Sequence, residues 1–223
     1  MRKDINVKLP DSWADISLKT YLQLQKDLEI HKDEPMAQLH FTMYHLCGID
    51  VSLINSMTKE SHEKIKLALD KLILNQELPL QRIIKIGDVE YGFEPNLSKM
   101  AYGAYVDITA NDTIAIDDKW AKVMAILYRP VTQKSKGSYS IQAYKGDVDE
   151  SPFLEIGMDV AFGCYFFFVR LQMDLVSSIL SYTKGTLPPN IKSILERSGK
   201  AIHQSMSLQE EIYKKWMQSR FYH

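Results

Sequence analysis

Glu155 and Asp159 stand one helical turn apart at the head of a long apolar run, and two carboxylates so placed can divide general acid and base roles when their environments differ. Both also fall in the opening turns of a helix, where the dipole favours negative charge at Glu155, so the spacing serves structure as readily as catalysis. His40 and His45 are five residues apart and point to different helix faces, unlike the i, i+4 pair of a helical zinc site. His31, His62, His203 and His223 have no carboxylate or cysteine at ligand spacing. Cys47 and Cys164 lie in apolar helical surroundings, where a thiol acts as a small hydrophobe. The glycines at 87, 92, 103, 137, 146, 157 and 163 are scattered singly, so no loop is built to cradle phosphate, and nothing links a serine to a histidine and an acid. These residues predict no catalytic group, no cofactor, no metal and no enzyme.

Aromatic residues beside cations offer a different chemistry, that of an interface anchor. Tyr213, Trp216 and Phe221 stand with Lys214, Lys215 and Arg220 near the C-terminus, and Tyr139 and Tyr144 lie in a Lys- and Ser-rich stretch. Each set can dock a partner or fold back onto its own core. The pattern leaves both readings open.

The elements that would position these groups are mostly helical. Ser17 caps a helix with Leu18, Tyr21, Leu22 and Leu28 on one face; Asp33 and Pro35 open a second carrying Met36, Leu39, Met43, Leu46 and Cys47 up to Gly48. A short turn over 51–57 leads to Thr58, which caps a third full helix striped by Ile65, Ala68, Leu69, Leu72 and Ile73. "RIIKIGDVEYGF" (82–93) alternates around Gly87 and Asp88 and predicts the one small β-hairpin, with a type II′ turn. Asn96 or Ser98 caps a helix that contains "MAYGAYVDI" (100–108) and in which Leu97, Ala101, Ala104, Tyr105 and Ile108 share a face. Gly103 beside it costs about 1 kcal/mol relative to Ala, which predicts a close backbone neighbour there. The next helix carries Ile116, Trp120, Val123, Met124 and Leu127 and ends at Arg129 and Pro130. Residues 131–150 lose helical period and read as a long loop or arm; Ser151 and Pro152 then start a long central helix over 152–183, with Phe166 in its apolar middle. Further helices are expected from Asn190 and, through the capping box Ser207/Glu210, to the end. The sum is a mainly α multi-helix bundle with one hairpin, in four segments: 1–80, 81–130, 131–150 and 151–223. Gly103, Tyr105, Trp120 and Phe166 are its expected packing residues.

At 223 residues, with 45% hydrophobic and 25% charged side chains, the chain can bury a substantial core. Lys and Arg number 27 against 28 Asp and Glu, so no net field draws it to nucleic acid or an anionic membrane. "MRKDINVKLPDSW" lacks the apolar stretch of a secretory signal, and "VAFGCYFFFV" is well short of the ~20 residues that span a bilayer. Synthesis in cytoplasm is expected.

Six segments carry a family likeness. "AYGAYVDI" with "KWAKVMAILYRPV", then "YSIQAYKGD", then "VAFGCYFFFVRLQMDLVSSILSYT" resemble a family of tailed-bacteriophage proteins found among crAss-like podoviruses and their relatives. "LPDSWADISLKTYLQLQ" and "LCGIDVSLINSM" resemble the helical opening of the same group, so the likeness runs from about Leu9 to Thr183. It implies a structural virion protein, a ring component of the neck or tail contacting identical copies and other neck, tail or portal proteins. The alternative it implies is a tail assembly chaperone that leaves before maturation. It carries no catalytic or cofactor-binding residues. A ring subunit needs two complementary surfaces, and the arm 131–150 and the segment Ser207 to His223 are the candidates.

Overall fold

Ser17 opens the first helix, α1 (Leu18–Ile30), by accepting the Thr20 amide at 3.2 Å, and buries Leu18, Leu22 and Leu24. Pro35 takes the first position of α2 (Pro35–Cys47), where its missing N–H costs nothing, and Leu39, Met43, Leu46 and Cys47 face inward. Asp50 caps the short α3 (Val51–Ser56), and Thr58 caps α4 (Lys59–Leu74), whose buried stripe is Ile65, Leu69 and Leu72. The computed structural model describes residues 7–74, 78–110 and 115–183. The expected elements beyond Asn190 lie outside those residues, as do Tyr213, Trp216, Arg220 and Phe221.

The expectation of a mainly α bundle with a single hairpin is overturned. β1 (Ile83–Ile86) and β2 (Val89–Phe93) form the foreseen hairpin, with Gly87 at φ +59°, but β3 (Tyr128–Ser135) and β4 (Ser138–Ile141) add a second one. Together they make a four-stranded antiparallel sheet in the order β1-β2-β3-β4. The supposed arm over 131–150 is therefore largely sheet up to Ile141. The helix expected to end at Arg129 and Pro130 ends at Leu127, and the chain continues at once as a strand in which the fixed φ of Pro130 fits; a two-residue turn at Lys136 and Gly137 folds it back, with Gly137 at φ +81°.

Between the hairpins lie α5 (Tyr102–Thr109) and α6 (Trp120–Leu127), and α6 runs into β3 with no intervening residue. The sheet turns one face, with Ile84, Tyr91, Phe93 and Tyr128, toward the core. Tyr91 meets Phe153 edge-on at 5.3 Å between ring centres, and Phe93 meets Tyr128 at 5.2 Å.

The single long helix expected over 152–183 is two: α7 (Ser151–Leu154) and α8 (Met158–Thr183). The break is made by a distant segment. Leu18 donates its amide to the Ile156 carbonyl at 2.9 Å and Met158 donates to Ile16 at 2.8 Å, so Ser17 and Gly157 pair as an isolated β-bridge. A Cβ on Gly157 would lie 2.9 Å from both the Cα and the carbonyl oxygen of Ala14, closer than unbonded carbon tolerates. Trp13 and Tyr21 then close edge-on over Phe162, at 4.9 and 5.2 Å. The chain divides into two compact units, residues 1–164 and 165–223, with the boundary inside α8. In the second unit Phe166 is half-buried and meets Tyr165 edge-on at 5.6 Å.

Candidate functional site

The outer face of the sheet carries a connected set of polar contacts around Tyr139 and Arg129. Strand alternation places Gly92, Arg129 and Ile141 on it together, because Gly92 pairs with Arg129 and Val131 with Ile141. A register shift between Val131 and Gln133 bends β4 over β2. The Tyr139 ring then covers Gly92, where a Cβ would lie 2.6 Å from Cε2 of the ring, and its hydroxyl donates to the Phe93 carbonyl at 2.7 Å. Only glycine leaves room for that curl. Burial raises the Tyr139 phenol above its ordinary pKa.

Beside this curl Arg129 Nη2 donates to Glu94 Oε2, and both side chains are only 10% exposed. The Arg129 Nε is buried with no acceptor among the described residues. Such a pair holds β2 to β3, and its worth lies in neither charge being left alone. Further along, Gln142 donates to the Pro130 carbonyl at 2.9 Å, and the chain crosses to α5. There the Tyr144 hydroxyl donates to Asp107 Oδ2 and lies 3.2 Å from the Gly146 carbonyl. Burial first, and then the Asp107 carboxylate, push the Tyr144 phenol up to about 12.

The opposite side of α5 is apolar and open. Tyr102 is 80% exposed, Tyr105 57% and Val106 40%, at the i, i+3, i+4 spacing of one helix face. Only Ala104 of this helix is fully buried. The expectation that Tyr105 packs inside is thus corrected: the small Ala104 takes the inward position and the tyrosines turn out. Gly103 is corrected too. A Cβ there would meet no backbone, only the Tyr144 ring at 3.5 Å, which is ordinary contact. Trp120, at the head of α6, is buried.

The groups weighed for catalysis are scattered. The break at Gly157 separates Glu155, which is exposed with Lys19 at 3.6 Å, from Asp159, which accepts from Gln81 Nε2 at 2.6 Å. They share no cleft wall as a helical pair. His45 bonds Asp27 at 2.6 Å between α2 and α1, and His40 is lowered in pKa by burial and then by His62. Burial raises the Cys47 thiol to about 11 and pushes Cys164 up further, so both are poor nucleophiles. Among the described residues no three metal-binding side chains cluster, and no helix is long and apolar enough to cross a membrane.

No family model, curated protein or solved structure matches this chain. The surface must therefore be read from its own chemistry. What it offers is a rigid sheet edge, a pinned short helix and an uncovered aromatic stripe on that helix. Sequence reasoning named Tyr139 and Tyr144 but missed Tyr102, Val106, Asp107 and the Glu94–Arg129 pair. A second stripe at 102, 105 and 106, beside the one assigned to the core, was the available signal.

Proposed function

We propose that the protein is a subunit of a homo-oligomeric ring in the neck or tail of a short-tailed phage virion. One observation carries the self-association: Tyr102, Tyr105 and Val106 stand together in solvent on a helix whose other side is tied to the sheet. Clustered exposed aromatics on a fixed element are typical of a surface that another molecule covers, and tyrosines give large contact area at small entropic cost. A net charge of −1 lets copies approach without mutual repulsion. The virion assignment is supported by the resemblance of "AYGAYVDI", "ILYRPV" and the Phe-rich helix to phage proteins.

The test has two arms. Light scattering on the purified protein should give a multimer that Tyr102→Ser with Tyr105→Ser converts toward monomer while the fold, read by circular dichroism, is kept. Mass spectrometry of purified particles should find the chain. A monomer at all concentrations whose size the double variant leaves unchanged, together with absence from particles, refutes the proposal. Absence from particles by an otherwise self-associating protein makes it the departing assembly chaperone instead.

A further inference from the structure

We infer that residues 142–147 form a strap across the outer face of the unit and that Tyr144 is its latch, a positioning residue that fixes α5 to the sheet. The inference stands whether or not α5 binds another copy, because it concerns how the helix is held.

Apart from its packing against α6, α5 has little to hold it. It is eight residues long, below the length at which a helix is stable in water alone. Its first residue follows Ala101, which supplies no side-chain cap, and Ala104 is its only fully buried residue. Tyr102, Gly103, Tyr105, Val106 and Thr109 are all exposed. Among the described residues, the charge-assisted hydrogen bond that reaches it from outside is that of the Tyr144 hydroxyl to Asp107, in the second half of the helix. The same ring rests against Gly103, so a single side chain touches α5 at two points, four residues apart on one face. The strap is itself anchored at its start by the Gln142 amide on Pro130. Release of one phenol would therefore loosen α5, leaving its packing on α6 and the sheet in place.

Hydrogen exchange on the full-length protein tests this. The amides of Tyr105 and Ala110, which donate to Ala101 and Val106, report on α5. Tyr144→Phe keeps the ring against Gly103 and removes only the hydroxyl, and should raise exchange at these amides by about ten-fold, while amides of α6, β2 and β3 stay unchanged. Asp107→Asn keeps an acceptor but loses its charge, and should give a smaller rise at the same amides. Unchanged α5 exchange in Tyr144→Phe overturns the latch. An equal rise across α6 and the strands overturns it as well, since Tyr144 would then support the whole unit and not one helix. Loss of self-association by the tyrosine variants of α5 with a normal exchange response leaves the strap intact, so the two proposals fail separately.

Discussion

Gly157→Ala isolates the seam between the N-terminal turn and the base of α8. The new methyl would sit 2.9 Å from the Cα and the carbonyl oxygen of Ala14, both backbone atoms that cannot rotate away. Relief requires the strands of the bridge to part, which lengthens or breaks the Leu18 to Ile156 and Met158 to Ile16 hydrogen bonds. Overpacking of this kind costs about 1–3 kcal/mol, and each weakened backbone bond adds about 1 kcal/mol. A total of roughly 3–5 kcal/mol is expected, equivalent to about 6–20 °C in the melting temperature of a unit this size. Gly103→Ala is the control. Its methyl meets only the Tyr144 ring at ordinary distance, in a helix, so it should leave stability unchanged or raise it by up to about 1 kcal/mol. Thermal and guanidinium melts of the two variants against the parent measure both. If Gly157→Ala melts within about 2 °C of the parent, the close approach does not exist as described.

Two further outcomes follow from the outer face. Glu94→Ala strands the Arg129 guanidinium in a site that is 90% closed to water and should cost about 3 kcal/mol or more, whereas Glu94→Gln, which keeps an acceptor, should cost less; denaturant melts rank the two. Tyr144 is raised to about 12 in the fold against about 10 in the unfolded chain, so its contribution to stability is complete below pH 10 and is lost as pH climbs from 10 to 12. Ultraviolet titration should show one tyrosine fewer ionising late in Tyr144→Phe than in the parent, and an identical late phase would contradict the shift.

Local signals were legible in the sequence wherever the cause lay within a few residues. Ser17 and Thr58 cap their helices, Pro35 opens one, and Gly87 turns the first hairpin, because each acts on amides or dihedral angles beside it. The second hairpin was hidden. Pro130 and the polar run through Lys136 suggest a stop and a loop, and the strand exists because Arg129 finds Glu94 and Tyr128 finds Phe93, both more than thirty residues earlier. The glycines show the same division. The sequence placed a close approach at Gly103, whose neighbours are small, while close approaches occur at Gly92, Gly157 and Gly163, where Tyr139, Ala14 and Pro79 arrive from remote parts of the chain. Of the candidate surface, Tyr139 and Tyr144 were visible as aromatics among cations. Asp107 was not, because its partner lies more than thirty residues further along the chain.

The pairing of Ser17 with Gly157 also orders events in time. On the ribosome α1 and α2 can meet as soon as both have emerged, but the residues around Ile16 have nothing to bond until nearly the whole first unit has been made. Closing so large a loop is the slow, entropically costly step, and until then Trp13 and Leu18 lack the cover that Phe162 and Ile156 later bring. The N-terminal helical pair therefore keeps an unburied flank until residues 156–162 arrive, and folding rate should respond to changes at residues 14–17 and 156–157.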